Sequence, residues 1–141
     1  MSTTQIQKIR EFVESMPATR HLGIRIAELE DGRAVFEMLN DPTVTFDGEV
    51  VQGGIVGTLA DYAAVAACGT KLPDGWLMAT TTCETHNLAP ANGARLIAVA
   101  EVVKPGRRHA VARADVYNDE RSGQPVLTGL FCASGIPPRE V

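Results

Sequence analysis

A chain of 141 residues amounts to about one domain, and 45% hydrophobic with 21% charged residues is ordinary globular composition. The formal net charge of −4 and a pI near 5.3 exclude the broad positive field that a nucleic-acid-binding or membrane-surface protein needs. An anionic ligand must therefore be met by a local cluster of basic residues.

The N-terminal stretch MSTTQIQKIREFVESM has neither an apolar core segment nor a small-residue cleavage site, so a cytoplasmic location is expected. Within it, Thr3 or Thr4 can cap a first helix whose apolar positions Ile6, Ile9, Val13 and Met16 recur every three or four residues, with Pro17 as its stop. This spacing predicts an amphipathic surface helix over residues 1–17. Two strand-like stretches follow, LGIRIAELE and RAVFEML, separated by the hairpin signal Asp31-Gly32. The loop NDPTVTFDGE then leads to the glycine pair Gly53-Gly54.

From Gly53 to about Gly69 the chain is Ala-rich and apolar on every face, which predicts a helix wrapped by other structure. Ala63, Ala64, Ala66 and Ala67 keep that helix slim, leaving room for a ligand, with Tyr62, Trp76 and Met78 as candidates for either pocket or core. Its glycines and central Asp61 make it a poor bilayer span. Four more strands are predicted in WLMATTTCETHNLAP, ARLIAVAEVVK, HAVARADVYN and PVLTGLFCASGI. Glycine-containing turns between them, at Asn92-Gly93, Pro105-Gly106 and Ser122-Gly123, imply an antiparallel meander. The order of elements predicts one α+β domain in which a long antiparallel sheet curls around the buried helix.

Cys68, Cys83 and Cys132 are odd in number and outside any CxxC spacing, and His21, His86 and His109 are scattered. Neither a disulfide framework nor a metal site is expected. Glu84, Thr82 and His86 share one strand face, as a solvated row does.

Asp61 is the only charged residue between Glu49 and Lys71, and an unpaired buried carboxylate is costly. It can pair with a strand arginine such as Arg95 or Arg113 or with a partner subunit, or it can do chemistry. Three features favour chemistry. Gln52-Gly53-Gly54 precedes the helix, where residues without side chains let a ligand approach the free N–H groups that stabilise a carbonyl oxygen gaining negative charge. Asp61 lies eight positions after Gly53, roughly 12 Å along a helix axis, too far for both to reach one carbonyl from the same chain. A two-fold dimer with antiparallel helices brings the glycine end of each beside the Asp of the other. Finally, one of Thr80, Thr81 and Thr82 can supply a hydroxyl to the site.

The run of QGG, LAD, THNLAPA and VVKPGRR resembles the hotdog-fold acyl-CoA thioesterases of the phenylacetic-acid-degradation (PaaI-like) type over residues 20–135. The resemblance implies that the Gly53 N–H polarises the thioester carbonyl and that Asp61, from the other subunit, is nucleophile or general base. It implies that Thr80 holds the water or carboxylate, and that the basic turn with Arg107 and Arg108, joined by Lys104, meets the phosphates of coenzyme A. Gln52 stands where His is commonest and can donate to a thioester oxygen. Phe46 stands where an orienting Asn is common, with Asp47 beside it as a substitute. The implied substrate is an aryl- or medium-chain acyl-CoA, with coenzyme A part of the substrate and no separate cofactor. The implied assembly is a dimer or a homotetramer made of two dimers, with sites at the dimer interface. Two other readings remain: a hotdog enoyl-CoA hydratase or dehydratase, which usually pairs its acid with a histidine, and a non-catalytic acyl-CoA-binding protein.

Overall fold

The computed structural model describes residues 3–139, without the side chain of Thr3. Helix α1 spans Thr3–Ser15; Ile9 and Val13 are buried and Ile6 packs beside them, so the predicted stripe is the face that packs. A capping role for the Thr3 side chain lies outside the described residues. Pro17 stops α1 and also opens a second helix, α2 (Pro17–Leu22), which Gly23 closes at φ 69°. Proline suits the first helical turn because the amide it lacks would have had no partner there. This short helix uses residues that the sequence reads as loop and strand start, so β1 begins only at Arg25 and runs to Glu30. The turn at Gly32, φ 77°, joins it to β2 (Arg33–Leu39) as expected.

After a 3-10 turn at Pro42–Val44 and a tight loop closed by a Thr45–Val51 bridge, helix α3 runs from Gly53 to Gly69. Then come β3 (Leu77–Asn87), β4 (Arg95–Lys104), β5 (Ala110–Asn118) and β6 (Leu127–Ile136). All six strands form one antiparallel sheet in the order β1-β2-β4-β5-β6-β3. The expected four-strand meander is therefore only a three-strand one. β3 does not pair with β4; it crosses to the far edge and pairs with β6. The Asn92-Gly93 signal belongs to a crossover. Asn118 holds that connection by accepting from the Gly93 N–H at 3.0 Å and donating to the Pro90 carbonyl at 3.1 Å, so the local turn chemistry serves the β5 end.

The sheet curls around α3. Ala98, Ala100, Ala112, Ala114 and Ala133 face the helix from the strands, and Ala60, Ala63, Ala64 and Ala67 meet them from α3, all within 1% of full burial. Small side chains on both surfaces let the two backbones approach closely at core density. The alanines expected to make room for a ligand mostly serve this packing instead; of the four named for that purpose, Ala66 alone also borders a pocket. Among the described residues no helix is long and apolar enough to cross a membrane.

Candidate active site

Asp61 sits midway along α3, half-buried, where the helix passes β3. The Thr80 hydroxyl donates to its two carboxylate oxygens at 2.9 and 3.2 Å, and the Cys83 thiol lies 3.6 Å from Oδ1. A one-residue bulge at Thr81 makes this possible. Thr80 pairs with Ala133 and Thr82 with Cys132, so Thr81 is extra and the strand changes phase. Thr80 before the bulge and Cys83, Thr85 and Asn87 after it all turn toward α3. Thr82, Glu84 and His86 turn outward as the predicted solvated row, with His86 3.6 Å from Glu84.

Among the described residues no arginine answers Asp61. Arg95 reaches Glu37 at 3.6 Å and Arg113 reaches Asp115 at 3.5 Å, so both guanidiniums expected as structural partners are engaged elsewhere. Burial consequently dominates and raises the Asp61 pKa above the ordinary carboxylate value, with the Thr80 and Cys83 hydrogen bonds opposing it. The Cys83 thiol is pushed up to about 11, first by burial and then by the neighbouring carboxylate, so it stays protonated and donates. Among the described residues no histidine borders the groove beside Asp61.

That groove runs along the first half of α3 and is walled by Gly53, Gly54, Gly57 and Thr58 on the helix and by Cys83, Thr85 and Asn87 on β3. It is open to solvent because the helix presents almost no side chains there. Gln52 caps α3: its Oε1 accepts from the Ile55 N–H at 3.1 Å. The side chain lies over Gly54, where an added Cβ would come 3.0 Å from Oε1. The N–H groups of Gly53 and Gly54 find no acceptor within the described residues, as at the start of any helix. They face the open end of the groove.

Phe46 is 69% exposed on a loop held rigidly by its neighbours. The Asp47 carboxylate accepts from the Glu49 and Val50 N–H groups, both at 2.8 Å, which lowers its pKa, and Thr45 Oγ1 accepts from Gly48. Asp47 is thus committed to its own turn. In the basic turn between β4 and β5, Lys104 Nζ folds onto the His109 carbonyl at 3.1 Å, and the Arg107 guanidinium stacks 5.5 Å from the centre of the Trp76 ring. Arg108 is exposed and makes no ion pair among the described residues. Of the three aromatic or sulfur candidates, Tyr62 and Met78 border a pocket beside Asp61, whereas Trp76 serves as the platform for Arg107.

The structure thus brings Asp61 and Thr80 into contact and puts Gln52, Gly53 and Gly54 at the far end of the same groove, with the Phe46–Asp47 loop leading into the Gln52 cap. The basic turn lies by the first residues of β3. Sequence reasoning missed Cys83, Thr85 and Asn87. Strict alternation from Thr80 assigns these odd-numbered positions to the opposite face, and nothing in TTTCETHN announces the bulge.

A family model for the Thioesterase superfamily matches residues 48–123, more than half of the chain, and the chain belongs to that superfamily. It is a thioester hydrolase with the hotdog fold. A thioesterase family protein from Silicibacter pomeroyi has a solved structure that is 31% identical, covers 93% of this chain and 97% of its own, and superposes with a TM-score of 0.87. The PaaI protein of the Escherichia coli phenylacetic acid degradation operon shares the fold at 23% identity and a TM-score of 0.84, covering 97% of this chain and 96% of its own. Among characterised relatives, the medium/long-chain acyl-CoA thioesterase YigI of Escherichia coli K12 is 26% identical over 125 residues, 78% of this chain and 81% of that protein.

Proposed function

We propose that the chain, acting as one hotdog domain in a homodimer or a dimer of dimers, hydrolyses an acyl-CoA to the free acid and coenzyme A at the interface of two subunits. One observation carries this reading: a half-buried carboxylate with no cationic partner among the described residues is held by a hydroxyl and a thiol at the edge of an open groove. A group kept ionisable at such cost suits a nucleophile or a general base. The medium/long-chain acyl-CoA activity of YigI supports the substrate class.

In this reading the thioester carbonyl rests on the Gly53 N–H, with Gly54 allowing its approach and the Gln52 amide donating from the side. Asp61 of the partner subunit attacks the carbonyl carbon or takes a proton from the water that does. The C–S bond breaks, and the thiolate of coenzyme A leaves and takes up a proton; where Asp61 is the nucleophile, water then cleaves the acyl–aspartyl anhydride to the free acid and the restored carboxylate. Thr80 holds the carboxylate. Phe46, on the loop that Asp47 braces, flanks the thioester, and Lys104, Arg107 and Arg108 offer positive charge to the phosphates. The helical separation of Gly53 and Asp61, roughly 12 Å, supports assembly from two chains. So does the outer edge of β3, which has no strand partner in the sheet order and is open to pairing.

The test is thiol release from a panel of acyl-CoAs by the parent and by Asp61→Asn. The parent cleaves and the variant does not, although it remains folded and dimeric. Equal activity in both proteins would overturn the assignment. Capture of an Asp61 hydroxamate by hydroxylamine during turnover marks the nucleophilic route.

A further inference from the structure

A second hollow adjoins Asp61. It has a volume of about 160 Å³, lies between α1, α3 and β3, and has Asp61 and Thr80 in its wall. The rest of its lining is apolar or aromatic, including Phe12, Met16, Tyr62, Val65 and Met78. Asp61 is the only charged side chain there among the described residues. The Tyr62 hydroxyl is engaged with Thr19 at 3.0 Å, so apart from the Asp61–Thr80 pair the wall offers no free side-chain donor to a polar group on a ligand. Such a wall selects by length and burial and not by functional groups. Two methionines in it adapt to a flexible chain.

The roof of the hollow is α1, and it is fastened. The Gln5 side chain is fully buried; it donates to the carbonyls of Gly69 at 3.0 Å and Trp76 at 2.9 Å and accepts from the Gly75 N–H at 2.8 Å. Gly69 lets α1 lie close, since a Cβ there would come within 2.8 Å of the Ile9 side chain. Phe12 lines the hollow yet is 43% exposed, which puts it at the rim. The roof stands outside residues 48–123, the part that matches the family model.

We propose that this hollow receives an unsubstituted aliphatic acyl tail whose carbonyl lies at Asp61, and that α1, through Phe12 at the rim, sets the preferred chain length. The inference rests on the thioesterase reading of Asp61. Each methylene seated in the hollow then strengthens binding roughly fourfold, and the gain stops where the tail emerges past Phe12.

The experiment measures, by calorimetry, the affinity of S-alkyl-CoA thioethers from butyl to hexadecyl for the parent, Phe12→Ala, Val65→Phe and Glu11→Ala. Thiol release from the matching acyl-CoAs is followed in parallel. Parent affinity climbs with length and levels off. Phe12→Ala and Val65→Phe lose about tenfold for the longest chains and nothing for butyl, and Glu11→Ala, on the solvent side of α1, follows the parent. Phe12 is exposed enough for its truncation to leave the fold intact, so the test survives if Val65→Phe misfolds. Affinity independent of length, or a uniform loss at every length in Phe12→Ala, overturns the proposal. Length-dependent binding without any thiol release sinks the hydrolase reading and leaves the tail site standing; thiol release indifferent to length and to both variants does the reverse.

Discussion

The two halves of α3 are one continuous helix in two different surroundings. From Ala63 to Gly69 the helix is almost wholly enclosed, by the sheet and by α1, and its alanines fit against those of the strands. From Gly53 to Asp61 one side is left open, and the residues there are glycine, threonine and the acid. In the closed half small residues permit contact; in the open half they forbid it, since nothing reaches across to fill the gap. The same economy of side chains therefore makes a core at one end and a cleft at the other.

Substitutions can set the two halves against each other. The largest effect is expected at Asp61: Asn there lowers kcat by about 10²–10⁴-fold. Stability moves the other way. Burial raises the folded-state pKa of Asp61, so its ionisation costs folding free energy; the cost is absent below the unfolded-state pKa and sets in as pH rises through the higher folded value. At neutral pH the melting temperature of Asp61→Asn is accordingly at or above that of the parent, as read by calorimetry. Next comes a paired comparison. Gly57→Leu places its side chain toward Thr85, where a Cβ meets only an ordinary 3.9 Å contact. It keeps its melting temperature and loses turnover about a hundredfold by displacing substrate. Ala63→Leu in the enclosed half instead overpacks and destabilises by about 1–3 kcal/mol, measured by urea titration.

A smaller effect follows from Thr80→Val. Removing a hydrogen bond to a charged group is worth about tenfold in rate, and it also takes away a contact that lowers the Asp61 pKa. The acid limb of the kcat/KM profile, already raised in the parent by the burial of Asp61, moves to still higher pH. A variant with an unmoved limb would separate Thr80 from the acid. Smallest is the double change Arg107→Ala with Arg108→Ala. KM for acyl-CoA rises a few-fold with kcat unchanged, and the difference shrinks as salt is added, because both guanidiniums are exposed.

Much of the fold is legible in the sequence because periodicity and turn residues report local structure directly: the enclosed helix, its start at Gly53, and the strand count all follow from them. Strand order is less legible. Asn92-Gly93 reads as a hairpin, yet its hydrogen bonds go to Asn118 on another strand, and only the tertiary structure tells that β3 lies at the far edge. At the site, Asp61 stands out by its loneliness among apolar neighbours, whereas Thr80 is one of three threonines that residue chemistry alone does not separate and only the family resemblance picks out. Cys83 carries no signal of its own. The pocket under α1 is also hidden, since an amphipathic helix announces which face it buries and not that it leaves a space beneath.

The extra residue at Thr81 has a consequence for how this strand can change. Deleting it leaves Thr80 opposite Ala133 and Thr82 opposite Cys132 as direct neighbours, so Cys83, Thr85 and Asn87 keep facing α3 while Glu84 and His86 keep facing out. Forcing Thr81 into the ladder instead slips every later pair by one and exchanges the two faces of the downstream half, which sets Glu84 toward Asp61. The bulge is therefore the place where β3 can shed a residue and keep its wall.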